Sequence, residues 1–179
     1  MLDASIFKAY DIRGVVDVTL TTEVVRAVGR VLGSMAREAD VKAFCVGRDG
    51  RLSGERLANA LIEGVLSTGI DVIDIGMAPT PVLYFATNYY GTGTGVAVTG
   101  SHNPPEYNGL KMMVAGVTLF ADQIQKIRER IELREWFEAE TPGTRKTVDA
   151  VTPYLEKVLG DVSLARSMTI AVDGGNGVA

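Results

Sequence analysis

The chain has 179 residues, 46% hydrophobic and 22% charged, the balance of a soluble globular protein with one ordinary domain and some material left over. Eighteen basic against 22 acidic side chains give a net charge of −4, so no global positive field exists to hold a nucleic-acid backbone. The start, MLDASIFKAYDIRG, lacks a basic segment before an apolar block, and no apolar run reaches the roughly 18 residues of a bilayer span, so neither a signal peptide nor a membrane segment is expected.

Between residues 22 and 37, Val24, Val28, Val31, Leu32 and Met35 recur at helical spacing, and Gly29 and Gly33 lie on one side, where another backbone can come close. AFCVG at 43–47 predicts a buried strand. Its Cys45 is the single cysteine, which forms no intrachain disulfide and suits a buried thiol in a reducing cytoplasm. Ser53 stands as N-cap of a helix carrying Leu57, Leu61, Ile62, Val65 and Leu66, with Gly69 at its end. IDVIDI at 70–75 reads as the next strand, and Thr80-Pro81 as a cap and first-turn proline opening a helix through VLYFATNYY. GVAVT at 95–99 and GLKMMV at 109–114 predict two more strands, and Ile124, Ile127 and Ile131 a further amphipathic helix.

This alternation predicts a three-layer α/β/α sandwich around a mostly parallel mixed sheet. EAETPGTRKTVD at 138–149 is polar, holds Pro and Gly and shows neither period, so it reads as a boundary. The expected division is a domain over 1–146, followed at 147–179 by the opening of a second, truncated unit. That opening would be a helix through YLEKVLGDV capped by Thr152-Pro153, then a strand in TIAVDGGNGVA.

Ligands of open α/β sheets bind at the carboxyl ends of the strands, where loops and helix N-termini gather. GRDGRLSGE and TGSHNPPEYNG follow the strands at 43–47 and 95–99, which brings Arg48, Asp49, Arg51, Ser101, His102 and Asn103 toward one rim. A Ser and His hydrolase fits poorly, because neighbours in an extended stretch point to opposite sides and TGSHN is not the G-x-S-x-G elbow. Phosphoryl transfer fits better. A serine bearing a phosphate needs donors and cations around about −1.5 to −2 of charge, and Lys111 and Arg13 can reach that rim. The plain alternative is an ordinary turn, since each residue of TGSHNPP is favoured in loops, with Arg48, Asp49 and Arg51 a solvated, mutually paired cluster. GTGTG at 91–95 precedes a strand, the wrong order for a dinucleotide fingerprint, and DGGNGVA at 173–179 decides nothing alone. No carboxylate cluster shows metal-ligand spacing, so most ligands of any magnesium ion would lie elsewhere.

FKAYDIRG, GRDGRLSG, APTPVLYF, TGSHNPPEYNGLK and VDGGNGVA come in an order that resembles the α-D-phosphohexomutase family, in its bacterial phosphomannomutase/phosphoglucomutase branch. The resemblance implies a cytoplasmic isomerase of carbohydrate metabolism that interconverts hexose 1-phosphate and hexose 6-phosphate. It would work through a phosphoserine at Ser101 and a bisphosphorylated sugar. Mg2+ would bind the phosphate on Ser101. Lys111, Arg13 and His102 would join the catalytic set, with Tyr10 and Asn103 on the substrate side. The family has four domains, so the resemblance also implies downstream domains as partners, with the other magnesium ligands there and the 179-residue chain inactive alone. The alternatives are a non-catalytic sugar-phosphate or protein-binding module of the same fold and a nucleotide-binding α/β domain.

Overall fold

The computed structural model describes residues 2–175 and 177–178. Strand β1 (Ile12–Val15) leads to helix α1 (Thr22–Glu38), then β2 (Ala43–Arg48), α2 (Gly54–Leu66), β3 (Asp71–Met77), α3 (Thr80–Tyr89) and β4 (Gly95–Val98). There follow β5 (Tyr107–Val114), β6 (Val117–Thr118), α4 (Asp122–Leu133), β7 (Arg145–Thr147) and α5 (Val151–Asp161). The seven strands form one mixed sheet in the order β1-β5-β4-β2-β3-β7, with β6 beside β5. The β4–β2, β2–β3 and β3–β7 pairs are parallel, because helices carry the chain back between them. The β5 pairs with β1, β4 and β6 are antiparallel.

Alternation along the strands divides the core. Phe44, Val46, Val96, Val98, Leu110 and Met112 face α1, α2 and α4, and Leu32, Leu57, Leu61, Ile124 and Ile127 bury from those helices onto them. Cys45, Ile75 and Ala97 face the other way, onto Val82, Leu83 and Ala86 of α3. Burial pushes the Cys45 thiol above its usual range. Each fully buried aliphatic side chain contributes about 1.5–3 kcal/mol, so the packed faces dominate the stability of the layers.

Helices α1 and α2 touch at glycines, as expected for Gly29 and Gly33. A Cβ on Gly29 would lie 2.3 Å from the Leu61 carbonyl oxygen, one on Gly33 2.3 Å from Thr68 Oγ1, and one on Gly64 2.2 Å from the Arg26 carbonyl oxygen. No side chain fits at those separations.

Several local expectations are corrected. Ser53 has helical dihedrals and makes no side-chain cap; its hydroxyl instead accepts from Asn108 Nδ2 at 2.9 Å, tying α2 to β5. Thr80 lies inside α3, with Pro79 at the cap. The cap of α5 is made by Asp149, not Thr152: its carboxylate accepts from the Thr152 hydroxyl at 2.6 Å and from the Thr152 and Val151 amides at 3.1 and 2.9 Å, and these bonds, the hydroxyl's first, hold its pKa below the usual carboxylate range. The polar segment read as a boundary contains β7, held to β3 by an Arg145 pair with the nearly buried Asp74. Residues 169–173 form no strand and lie exposed, having no neighbouring strand to take their backbone groups; Asn176 and Ala179 of the same run lie outside the described residues. Helix α5 buries none of its residues and meets α3 through Tyr154, edge-on to Phe85 at 5.5 Å.

The helix contact gives a measurable contrast. Gly64→Ala is expected to lower unfolding free energy by about 1–3 kcal/mol in a urea titration, through overpacking. Gly160→Ala, where a Cβ meets nothing within 4 Å, should be neutral or slightly stabilising. Equal effects at the two positions would contradict the contact described.

Candidate functional site

Strands β2 and β4 are parallel neighbours, with Arg48 opposite Val98, so the loops that leave them emerge side by side. The second loop, residues 99–106, turns the chain back into β5. At its apex Ser101 has φ of +52°, a left-handed conformation that is costly for a residue with a Cβ. Its amide donates to Thr99 Oγ1 at 2.9 Å, and the preceding Gly100 amide donates to Asp49 Oδ2 at 3.1 Å. The side chains of Ser101 and His102 stand exposed.

The left-handed turn changes one expectation. An extended stretch would point His102 away from Ser101, whereas His102 Nδ1 lies 3.3 Å from Ser101 Oγ. The two still do not form a hydrolase triad, because among the described residues no carboxylate hydrogen-bonds to the imidazole.

The loop is held from behind by Arg51. Its Nη1 donates to the carbonyl oxygens of Pro104 and Tyr107 at 2.7 and 2.9 Å, and its Nη2 to those of Ser101 and Asn103 at 2.9 and 2.5 Å. Nε lies 3.4 Å from Asp49 Oδ2, and the side chain is only 14% exposed. The pairing with Asp49 agrees with the expected paired cluster, but the expected solvation is corrected, because the guanidinium is turned inward onto main-chain carbonyls. Gly100 makes room for the guanidinium, since a Cβ there would lie 2.3 Å from Arg51 Cζ. Sequence reasoning missed this clamp because its acceptors are main-chain carbonyls, which leave no side-chain pattern.

Arg13 sits on β1 opposite Gly109. It pairs with Asp11 at 2.5 Å, and its Nη1 lies 3.4 Å from Asn103 Oδ1, whose amide group donates in turn to the Gly100 carbonyl at 2.8 Å. Lys111 lies opposite Ala97, two residues beyond Gly109, hence on the same sheet face as Arg13; it is half-buried and makes no hydrogen bond to the Ser101 loop. Tyr10 is 76% exposed, in a turn closed by the Lys8 amide donating to the Asp11 carbonyl at 2.9 Å. The structure thus gathers Ser101, His102, Asn103 and Arg13. It leaves Lys111 on the adjoining face and Tyr10 on a separate loop.

An open cleft of about 730 Å³ runs past Asp49, Arg51, Thr80, Ser101, His102 and Asn103, wide enough for a small polar ligand. Among the described residues no group of three His, Cys, Asp or Glu side chains is placed to hold a metal ion. Asp49 is already engaged by Gly100 and Arg51, and Asp11 by Arg13. These residues do not by themselves make a magnesium site.

Residues 4–137 match the family described as phosphoglucomutase/phosphomannomutase, alpha/beta/alpha domain I. The chain is 49% identical over 178 residues to a phosphomannomutase/phosphoglucomutase of Pseudomonas aeruginosa, covering 99% of this chain and 38% of that protein. It is 44% identical to a phosphoglucomutase of Neisseria meningitidis serogroup B, over 97% of this chain and 38% of that one. A crystal structure of a phosphoglucomutase/phosphomannomutase family protein from Burkholderia thailandensis superposes with a TM-score of 0.87 at 44% identity, over 93% of this chain and 38% of that chain. The chain therefore spans well under half the length of these relatives.

The clamp is open to direct test. A lysine at position 51 offers one compact ammonium and cannot reach four carbonyls. With Arg51→Lys, the amides of Asn103 and Tyr107 should exchange with deuterium at least about tenfold faster, the loss of one or two charge-assisted hydrogen bonds. Unchanged protection would show that the loop holds itself.

Proposed function

Since the chain belongs to the phosphoglucomutase/phosphomannomutase family, as its α/β/α domain I, we propose that Ser101 carries the phosphoryl group that such a mutase exchanges with a hexose phosphate. The observation that supports this is the exposed Ser101 hydroxyl at the apex of a braced left-handed turn, with basic side chains gathered beside it. In the proposed cycle the phosphoserine P–Oγ bond breaks as a hydroxyl of the hexose monophosphate bonds to phosphorus. The bisphosphorylated sugar then reverses and returns its other phosphoryl group to Ser101. Hexose 1-phosphate and hexose 6-phosphate are thereby interconverted.

The residues divide the work by what their atoms have free. Arg13 uses three of its five N–H donors on Asp11 and Asn103, which leaves two for a phosphate oxygen. His102 Nδ1, already near Oγ, can donate to the same group in its protonated form. Lys111, on the same sheet face as Arg13, is the candidate for proton transfer. Tyr10 and Asn103 are assigned to the sugar side. A magnesium ion would neutralise charge on the transferring group, taking a phosphate oxygen on Ser101 as one ligand and carboxylates from outside residues 1–179 as the others.

The reading places the protein in the cytoplasm, in keeping with a cysteine held as a buried thiol. Among the described residues no helix is long and apolar enough to cross a membrane.

A binding module without chemistry is the second reading, consistent with a rim where, among the described residues, no three His, Cys, Asp or Glu side chains are grouped to hold a metal ion. Intact-mass measurement separates the two. After incubation of the full-length protein carrying these residues with a hexose bisphosphate, its mass should rise by one phosphoryl group, and with Ser101→Ala not at all; a wild-type protein that never gains it would leave only the binding module. Full turnover needs the sugar gripped and reversed, and since this chain spans 38% of the mutase it matches, the grip on the far end of the sugar is assigned to the remainder. A coupled mutase assay on the 179-residue chain should therefore show no activity above background.

A further inference from the structure

Arginines beside a phosphoryl site are ordinarily assigned to the phosphate. Arg51 does not fit that assignment. A guanidinium has five N–H donors, and here the four on its Nη atoms are all used on main-chain carbonyls: Nη1 on those of Pro104 and Tyr107, Nη2 on those of Ser101 and Asn103. The fifth, on Nε, lies in an ion pair with Asp49 Oδ2 at 3.4 Å, so the forked end of the group has no donor left for an outside anion. The plane of the group is fixed as well, because it lies against Gly100, where a Cβ would come within 2.3 Å of Cζ.

We propose that Arg51 is a positioning residue for phosphoryl transfer, setting the direction of Ser101 Oγ through the Ser101 and Asn103 carbonyls while touching neither phosphate nor sugar. The inference rests on the reading of Ser101 as the phosphoryl carrier. A hydrogen bond on the Ser101 carbonyl fixes the peptide plane that follows it, and with φ held at +52° the Cα–Cβ direction is fixed too. In-line transfer is sensitive to that direction: a displacement of about 1 Å at the reacting atom can cost on the order of 100-fold in rate. Asp49 is the second support, since it accepts from the Gly100 amide and the Arg51 amide while pairing with the Arg51 side chain.

The test uses the full-length protein carrying these residues, with steady-state kinetics on a hexose 1-phosphate. For Arg51→Lys, kcat should fall about 10- to 100-fold while KM moves less than about threefold, as expected of a group that never contacts substrate. Gly100→Ala, which displaces the guanidinium without altering it, should give the same split. The double variant should be no worse than the poorer single one, because both remove one interaction. A wild-type kcat in Arg51→Lys would overturn the proposal, as would a loss confined to KM or fully additive losses in the double variant. Ser101→Ala is the separate control. If it turns over at the wild-type rate the carrier reading fails and the positioning role with it; if it is inactive, the Arg51 outcomes bear on the positioning role alone.

Discussion

An exposed side chain can be held in one direction without being covered, and the Ser101 loop meets that constraint from its inner side. The left-handed conformation of Ser101 costs about 1–2 kcal/mol. One charge-assisted hydrogen bond contributes about 1.5–3 kcal/mol, and Arg51 directs four carbonyl bonds into the loop from a largely buried position. A single such bond is comparable with the strain at Ser101, and the clamp supplies four of them. The hydroxyl is left in solvent because the Arg51 bonds all act on the backbone.

Topology makes the clamp possible. Parallel pairing of β2 with β4 places Arg48 beside Val98, so residues about fifty apart in sequence enter adjacent loops. The antiparallel return of β5, with β1 on its far edge, then brings Arg13 opposite Gly109, where a side chain would collide with the Ile12 carbonyl at 2.6 Å. Two glycines thus mark the places where separate segments converge on Ser101, Gly100 under the guanidinium and Gly109 under β1. The helices have no direct part in this. They bury the sheet and thereby fix the strand ends from which the loops spring.

What was legible in the sequence follows from which interactions are local. The amphipathic spacing of α1, α2 and α4 and the close approach at Gly29 and Gly33 could be read directly, because helix faces repeat within a few residues. The caps misled because Ser53, Thr80 and Thr152 have the right chemistry in the wrong frame. Asn108 claims the Ser53 hydroxyl, and Asp149 reaches the α5 amides first. Strand β7 was hidden because Arg145, Lys146 and Thr147 carry no apolar alternation and join the sheet through an ion pair with Asp74. Ser101 itself could be singled out from its setting. Its contact with His102 could not, since that depends on a positive φ angle falling on the serine and not on the glycine before it.

The charge balance around Ser101 bears on why a phosphate placed there should remain transferable. Arg13 is paired with Asp11, Arg51 with Asp49, and Arg48 approaches Glu55 at 3.9 Å, so the arginines of this rim bring carboxylates with them. A rim of unpaired guanidiniums would bind a phosphoserine strongly in its ground state, and binding that is equal in ground and transition states does not speed the chemical step. Pairing lowers that ground-state attraction while preserving oriented donors, which act most where charge shifts during transfer. On the proposed reading the acids near the site would serve transfer by restraining the arginines, while Lys111, which has no ion pair among the described residues, keeps its charge uncommitted on the adjoining face.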